Sequence, residues 1–259
     1  MSNGNNSFNQ QLAETQIVVM AGGKAKRMGA EIPKCLLEIS GKKLIDMCIE
    51  SLTSEGFRNF VFLLGHRHEM VTKHVGNGSS YGVAARFSID PPSVAGWGKG
   101  KAFKYALENG NIDFTRRTMV VFPDDIILEN RVFSKFLMNH LEVVRKHSIS
   151  ASTLLVPGTE YPYGVAEVDD FGLVRKFTEK PFLNNATSVG VYIFETDVYD
   201  IIRDNISFDD PTPVDLESTI LPLLVAKNKL GSFFVPSNKW IPINTMKEYE
   251  QAVNALSAM

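Results

Sequence analysis

Three groups of charged residues carry the chemistry open to this chain. In "IVVMAGGKAKRMG", Ile17 to Gly29, a β-branched run breaks into two glycines and then delivers Lys24, Lys26 and Arg27. In "VVFPDDIIL", Asp124 and Asp125 close an apolar run, and in "FTEKP" Glu179 and Lys180 stand side by side ahead of a proline. A glycine-rich turn leaving a strand is a recurring phosphate site, because bare backbone N–H groups converge on oxygens that a side chain would block. Carboxylates at a strand end suit a hard cation that bridges phosphates. Two common phosphate turns fail on spacing. The NTPase loop G-x-x-x-x-G-K-[ST], counted from Gly22 or Gly23, puts Arg27 or Met28 at the second glycine, and no Lys-Ser or Lys-Thr follows. The dinucleotide fingerprint G-x-G-x-x-G fails because Gly22 and Gly23 are adjacent and the next glycine is Gly29.

The elements that must hold these groups alternate between short apolar runs and segments of helical period, the pattern of a mainly parallel sheet with helices on its faces. "QIVVM", "NFVFLLG", "GVAARFSI" and "TMVVFPD" read as the first four strands. Between and after them, Leu44 to Leu52, Lys101 to Glu108 and Val132 to Val144 read as helices; in the first, Leu44, Ile45, Cys48, Ile49 and Leu52 share one face. "ISASTLLVP" reads as a fifth strand. "YGVAEVDDFGLVRKFTEKP" alternates apolar and polar residues on either side of a DDFG turn and reads as a β-hairpin. "SVGVYIF", a helix from Val198, another over Val214 to Ala226, strands at "LGSFFVP" and "KWIPIN" and a last helix from Lys247 complete the chain. The expected fold is α/β, a mixed, mainly parallel central sheet flanked by helices with a small strand-rich part. Residues 1–15 read as a disordered tail, and residues 16–259 as one domain whose halves divide near residue 150.

Composition limits what such a body can bind. With 259 residues, 44% of them apolar, it buries a full core, and 27 basic against 29 acidic residues create no field that would draw it onto nucleic acid or a membrane surface. An anion site must therefore be local. Cys35 and Cys48 are too few for a disulfide framework, which suggests a reduced, cytoplasmic protein. The first fifteen residues lack the basic and apolar regions of a signal peptide, and no apolar run approaches the ~20 residues of a membrane span. His66 and His68, two positions apart and without a third ligand, do not read as a metal site.

A third kind of phosphate turn fits. "AGGKAKRMG...IPKCLLEISGKKLID" resembles the signature of the sugar-1-phosphate nucleotidyltransferases, approximately G-G-x-G-T-R-x, then P-K and a G-K-P-L-I run. Gly22, Gly23, Arg27, Pro33, Lys34, Gly41, Lys42, Leu44 and Ile45 match; Ala25, Lys26 and Lys43 replace the third glycine, the threonine and the proline. "GWGKGKAFKYAL" resembles the family's base-reading loop at Gly98, Gly100 and Ala102, with Lys99 and Lys101 where threonine, histidine or glutamine is usual. The hairpin matches Y-G-V-x-x-x-D-x-x-G-x-V-x-x-F-x-E-K-P at nearly every fixed position. "SVGVYIF" resembles the family's N-x-G-x-Y-x-F strand with Ser188 for the asparagine, and "KWIPINTMKEYEQA" resembles the segment of the second metal ligand. These segments occur in the family's order from about Gln16 to the final helix.

The resemblance implies a nucleotide-diphospho-sugar transferase type of fold, Rossmann-like, with an NTP-binding half over about 16–150 and a sugar-phosphate-binding half over about 151–259. It implies that Ala21, Gly22, Gly23, Gly98 and Lys99 bind the nucleotide and that Arg27 and Lys34 lie at the transferred phosphorus. Asp124 and Asn244 would hold Mg²⁺, with Asp125 beside them as a turn or supporting residue. Tyr163, Gly164, Glu179, Lys180 and Gly190 would bind the sugar phosphate, Lys180 also aligning it for reaction. The implied activity is transfer of a nucleotidyl group from an NTP to a sugar 1-phosphate with release of pyrophosphate. The G-x-G-x-A spacing and Asn244 lean toward uridylyl transfer to a hexose 1-phosphate; guanylyl transfer to mannose 1-phosphate and thymidylyl transfer to glucose 1-phosphate stay open. A glycosyltransferase that consumes nucleotide sugars and a non-catalytic nucleotide-sugar-binding subunit are the alternatives of other classes. The implied partners are small molecules, with neither nucleic acid nor membrane, and a homo-oligomer is compatible. The chain ends soon after its last helix, so the acetyltransferase β-helix of bifunctional relatives is not expected.

Overall fold

A computed structural model describes residues 2–23, 32–91 and 97–257. Its centre is a seven-stranded sheet formed by β1 (Thr15–Met20), β2 (Asn59–Leu64), β3 (Ala84–Ile89), β4 (Arg117–Val121), β5 (Ala151–Val156), β6 (Thr187–Phe194) and β7 (Leu230–Phe234). The spatial order is β7-β5-β6-β4-β1-β2-β3. The β1–β2, β2–β3, β1–β4 and β5–β7 ladders are parallel, and only β6 runs against its neighbours β4 and β5. The mixed, mainly parallel sheet expected from the sequence is therefore present.

Strand β1 shows how the apolar runs build two layers. All six of its residues are buried, and alternate side chains leave for opposite faces. Ile17 and Val19 join a core with Ile45, Ile49 and Leu52 of α2 (Leu44–Ser54), Val71 and Val75 of α3 (His68–Val75), and Phe136 and Leu137 of α5 (Val132–His147). Val18 and Met20 join the other core, with Phe103 and Leu107 of α4 (Gly98–Glu108), Val198 and Ile202 of α6 (Val198–Asn205), and Ile220 and Leu224 of α7 (Leu216–Ala226). A strand buried on both faces must be apolar at every position, which is why "IVVM" shows no alternation. A third, smaller cluster of Ile39, Leu44, Ile126, Ile243 and Ala252 seats α8 (Met246–Ser257).

The amino-terminal tail differs from expectation. Ser2–Glu14 form helix α1, Leu12 is buried in the first core and Phe8 packs against it. The helix end is tied to the sheet, since Asn59 Nδ2 and Arg116 each donate to the carbonyl of Ala13, at 3.2 and 2.6 Å. Two apolar side chains four positions apart suffice to seat a polar helix on a preformed surface. Among the described residues no helix is long and apolar enough to cross a membrane, and Cys35 and Cys48 are both free thiols.

Candidate active site

A cavity of about 1070 Å³ lies along the carboxyl ends of β1, β2, β3 and β4, bounded by Ala21 to Gly23, Gly65, Asp90 and Phe122 to Asp124, with the start of α4 as its wall. This is where open α/β sheets bind ligands, because the ladder ends there and leaves backbone groups unpaired. The first turn is tight. A Cβ on Gly22 would lie 3.2 Å from the Gly65 nitrogen, so the β1 and β2 exits pass closely only because both residues are glycine. Gly23 has open space around it and its carbonyl accepts from Lys34 N at 3.2 Å. Arg27, with Lys24 and Lys26, lies outside the described residues.

Three of the expected residues converge at the end of β4. Lys34 starts a short 3-10 turn over Lys34–Leu36, behind Pro33. Its ammonium pairs with the Asp124 carboxylate and donates to Asn244 Oδ1 at 3.0 Å. The ladder between Asp125–Ile127 and Trp240–Pro242 brings Asn244 there, reinforced by Ile243 N donating to the Asp124 carbonyl at 2.9 Å. Glu248 in the first turn of α8 receives Asn244 N at 2.7 Å and fixes that end. Two oxygens, one carboxylate and one amide, thus meet on a single cationic atom. A hard divalent cation that takes its remaining ligands from phosphates and water suits this donor set. Among the described residues no group of three or more His, Cys, Asp or Glu side chains could hold a metal.

Asp125 sits beneath this point. Its Oδ1 accepts from Trp240 Nε1 at 2.9 Å. Burial and, next, the neighbouring Asp124 charge push its carboxyl up to about 7, against the Trp240 bond, which lowers it. Gly190, at φ +79°, passes so close that a Cβ would be 2.9 Å from Asp125 Oδ2. The expected sugar-side glycine is therefore shaped by contact with the acid next to Asp124.

The α4 entry lines the cavity at Gly98 and Lys99 and also has a packing basis that its sequence does not show. A Cβ on Gly98 would fall 2.5 Å from the Val214 carbonyl, and one on Gly100 2.9 Å from it; Gly100 N donates to that carbonyl at 2.8 Å. Both glycines are needed for packing against the 212–215 segment. Lys99 lines the cavity, but its Nζ is held by Glu217 Oε1 at 2.7 Å over the Phe122 ring, 5.1 Å from its centroid. Lys101 is only 2% exposed and donates to the carbonyls of Asp210 and, at 2.8 Å, Thr212. It is a buried staple between α4 and the 208–215 segment.

The hairpin forms with strands Val165–Val168 and Val174–Thr178. Its turn is held by Asp169 Oδ1, which accepts from the nitrogens of Phe171 and Leu173 at 3.0 and 2.9 Å. Tyr163, Gly164, Glu179 and Lys180 are exposed and are not among the residues lining the cavity. Gly164 lies against its own hairpin, where a Cβ would be 2.9 Å from Glu179 Oε2. Lys180 adopts φ +46°, an uncommon conformation for a residue with a side chain.

Sequence reasoning passed over three wall residues, Asp90, His66 and His68, and over Glu217, which holds the wall residue Lys99. Asp90 follows β3 as Asp124 follows β4, and the strand-end rule applied to "FSIDPP" finds it. Glu217 carries no signal, being one more acid in a helical first turn. His66 and His68 were read as bland, yet both line the cavity, and His68 Nδ1 is buried with no partner among the described residues.

Comparison with known proteins identifies the family and the fold. Residues 16–258 match the nucleotidyl transferase family. A mannose-1-phosphate guanyltransferase of Gibberella zeae is 25% identical over 242 residues, covering 90% of this chain and 61% of the relative. A UTP–glucose-1-phosphate uridylyltransferase of Synechocystis sp. is 26% identical over 259 residues, covering 92% and 62%. The chain thus spans about three fifths of the length of these curated relatives. A Bacillus anthracis structure, provisionally named a glucose-1-phosphate thymidylyltransferase, superimposes with a TM-score of 0.71 at 17% identity, covering 95% of this chain and 96% of that one. HddC from Yersinia pseudotuberculosis gives 0.65 at 19% identity, covering 93% and 99%. The match over nearly the whole chain, together with the shared fold, establishes that this protein belongs to the nucleotidyl transferase family, among relatives of the sugar-1-phosphate nucleotidyltransferases.

Proposed function

We propose that the chain transfers a nucleotidyl group from an NTP to a sugar 1-phosphate, releasing pyrophosphate. The observation that carries this reading is the meeting of Lys34, Asp124 and Asn244 at the end of β4. That strand divides the sheet into the β1–β2–β3 side, with the glycine turn, and the β6–β5–β7 side, with Gly190. A phosphate oxygen of the sugar 1-phosphate attacks the α-phosphorus, the new P–O bond forms, and the bond to the β-phosphate breaks with its electron pair leaving on pyrophosphate. The attacking oxygen is already anionic near neutral pH, so no general base is required. The protein's work is alignment and charge neutralisation.

Lys34 would place a positive charge at the reacting phosphates, and Arg27, four positions past Gly23 in the sequence, would add a second. Asp124 and Asn244 are the residues that would hold Mg²⁺, which when bound would supply further charge neutralisation at the phosphate oxygens. Ala21, Gly22, Gly23 and Gly98 would shape the nucleotide's bed. Tyr163, Gly164, Glu179, Lys180 and Gly190 would meet the sugar phosphate.

For the base, the lean toward uridylyl transfer rested on the glycine spacing of the α4 entry and on Asn244. Gly98 and Gly100 have a packing reason to be glycine, so that spacing does not argue for uracil. The test is pyrophosphate release across a matrix of NTPs and sugar 1-phosphates with Mg²⁺. Release that needs both substrates together supports the reading; no release from any pair opposes it.

A further inference from the structure

Asp90 is an acid inside the cavity that meets no partner among the described residues. It follows the last residue of β3, its backbone N–H donates to the Leu64 carbonyl at 2.8 Å, and its side chain has no hydrogen bond or ion pair among the described residues. The carboxylate lies over the glycine pair at the β1 and β2 exits: a Cβ on Gly65 would be 3.1 Å from Asp90 Oδ2 and 3.3 Å from the Gly22 carbonyl. The absence of a side chain at Gly65 therefore lets the carboxylate pack directly against the backbone at the cavity wall. Burial pushes its carboxyl up to about 6, which fits a group with no cation or donor beside it among the described residues. A part-buried, unpartnered carboxylate costs stability, and such groups gather where a ligand completes them.

Its position in the sheet indicates what that ligand presents. The order β4-β1-β2-β3 sets Asp90 three strand spacings from Asp124, about 14 Å at the usual separation. Lys34, Asp124 and Asp90 line the same cavity, so a nucleotide with its phosphates at the first two would reach Asp90 with its base by lying along this row. An ionised carboxylate offers two acceptor oxygens and no donor. Guanine presents N1–H and the N2 amino group side by side, two donors for two acceptors. Uracil and thymine present N3–H between two carbonyls, so one carboxylate oxygen would face another acceptor. Adenine and cytosine each set an amino group beside an acceptor ring nitrogen.

We infer that Asp90 selects guanine, making GTP the nucleotide substrate. This rests on the nucleotidyl-transfer reading for the placement of the phosphates, while the choice of base is read by binding alone. Lys99 and Lys101 do not compete for the role, because Glu217 and the carbonyls of residues 210 and 212 already occupy their ammonium groups.

The experiment is calorimetric titration of the full chain at pH 8 with Mg²⁺ and each of GTP, ITP, UTP, dTTP and ATP, repeated with Asp90→Asn. GTP is expected to bind tightest. ITP, which lacks the N2 amino donor, should bind on the order of 10-fold to 100-fold more weakly, the loss of one hydrogen bond to a charged acceptor. Asparagine offers one donor and one acceptor, so Asp90→Asn should lose about 10-fold or more for GTP and narrow the gap to UTP and dTTP. Tighter wild-type binding of UTP, dTTP or ATP than of GTP overturns the inference, as does ITP binding equal to GTP, and neither result depends on a variant folding. Unchanged GTP affinity in a folded Asp90→Asn protein also overturns it. Selective GTP binding without pyrophosphate release from any substrate pair would leave this inference standing and remove the transfer reading.

Discussion

Replacing Lys101 by methionine separates two roles for the α4 entry. The side chain is almost wholly buried and its ammonium ends on the carbonyls of Asp210 and Thr212. Each hydrogen bond from a charged donor contributes about 1.5–3 kcal/mol. Methionine keeps most of the apolar stem and removes the cost of burying a charge, which offsets part of that loss. Residues 209–213 are exposed, so water can reach the freed carbonyls. The net loss should be about 2–3 kcal/mol, or about 4–12 °C in Tm for a domain of this size. The same change loosens the 212–215 segment, whose Val214 carbonyl receives Gly100 N and whose Asp215 Oδ1 receives Lys99 N at 2.9 Å. Nucleotide affinity should therefore fall for all NTPs alike. Thermal unfolding and NTP titrations on Lys101→Met read both effects. A Tm within 1 °C of the parent (about 0.5 kcal/mol or less), together with a changed order of preference among NTPs, would refute the staple and make Lys101 a base reader.

Other perturbations test neighbouring parts of the account. Because burial raises the Asp90 carboxyl to about 6 from an unfolded value near 4, the native state binds that proton more tightly, and stability is lost as pH rises from about 4 through 6. Asp90→Asn should thus gain over the parent with rising pH, by about 1–2 kcal/mol above pH 6 once its partial exposure to solvent is discounted; urea unfolding at pH 4 and pH 8 checks this, and a gap that does not widen speaks against it. Gly98→Ala, whose Cβ would fall 2.5 Å from the Val214 carbonyl at a residue with φ +75°, should cost about 2 kcal/mol or more in stability by the same assay. Gly190→Ala should lower turnover by on the order of 10-fold to 100-fold through displacement of Asp125, and unchanged kcat would show that the close approach is immaterial. Asp124→Ala should cost on the order of 10² to 10³ in the rate of pyrophosphate release.

The fold was legible where one physical rule acted alone. β1 had to be continuous "IVVM" because both faces are buried, and the Asp169 and Gly172 turn announced the hairpin at the positions where Asp169 accepts two backbone N–H groups. Helix α1 was not legible, since Phe8 and Leu12 are its chief apolar anchors and its seat is a tertiary surface. The convergence of Lys34, Asp124 and Asn244 could be named only through family resemblance, because 90 and 210 residues separate the partners and no local pattern encodes such a meeting. Gly98, Gly100 and Lys101 carry a packing reason that no local pattern shows. The two glycines matched a ligand-binding loop and Lys101 departed from it, and the carbonyls of residues 210–214 account for all three types. Asp90 was missed because an acid before two prolines reads as a turn until the cavity around it is seen.

The central claim is that phosphates of two substrates meet at Lys34, Asp124 and Asn244. Its most direct measurement is pyrophosphate release by the purified chain given an NTP, a sugar 1-phosphate and Mg²⁺, alongside Lys34→Ala. The account predicts release that requires both substrates and the metal, greatest with GTP, and a loss on the order of 10² or more in the Lys34 variant. Release at the parental rate from Lys34→Ala, or none from the parent with any substrate pair, would contradict it.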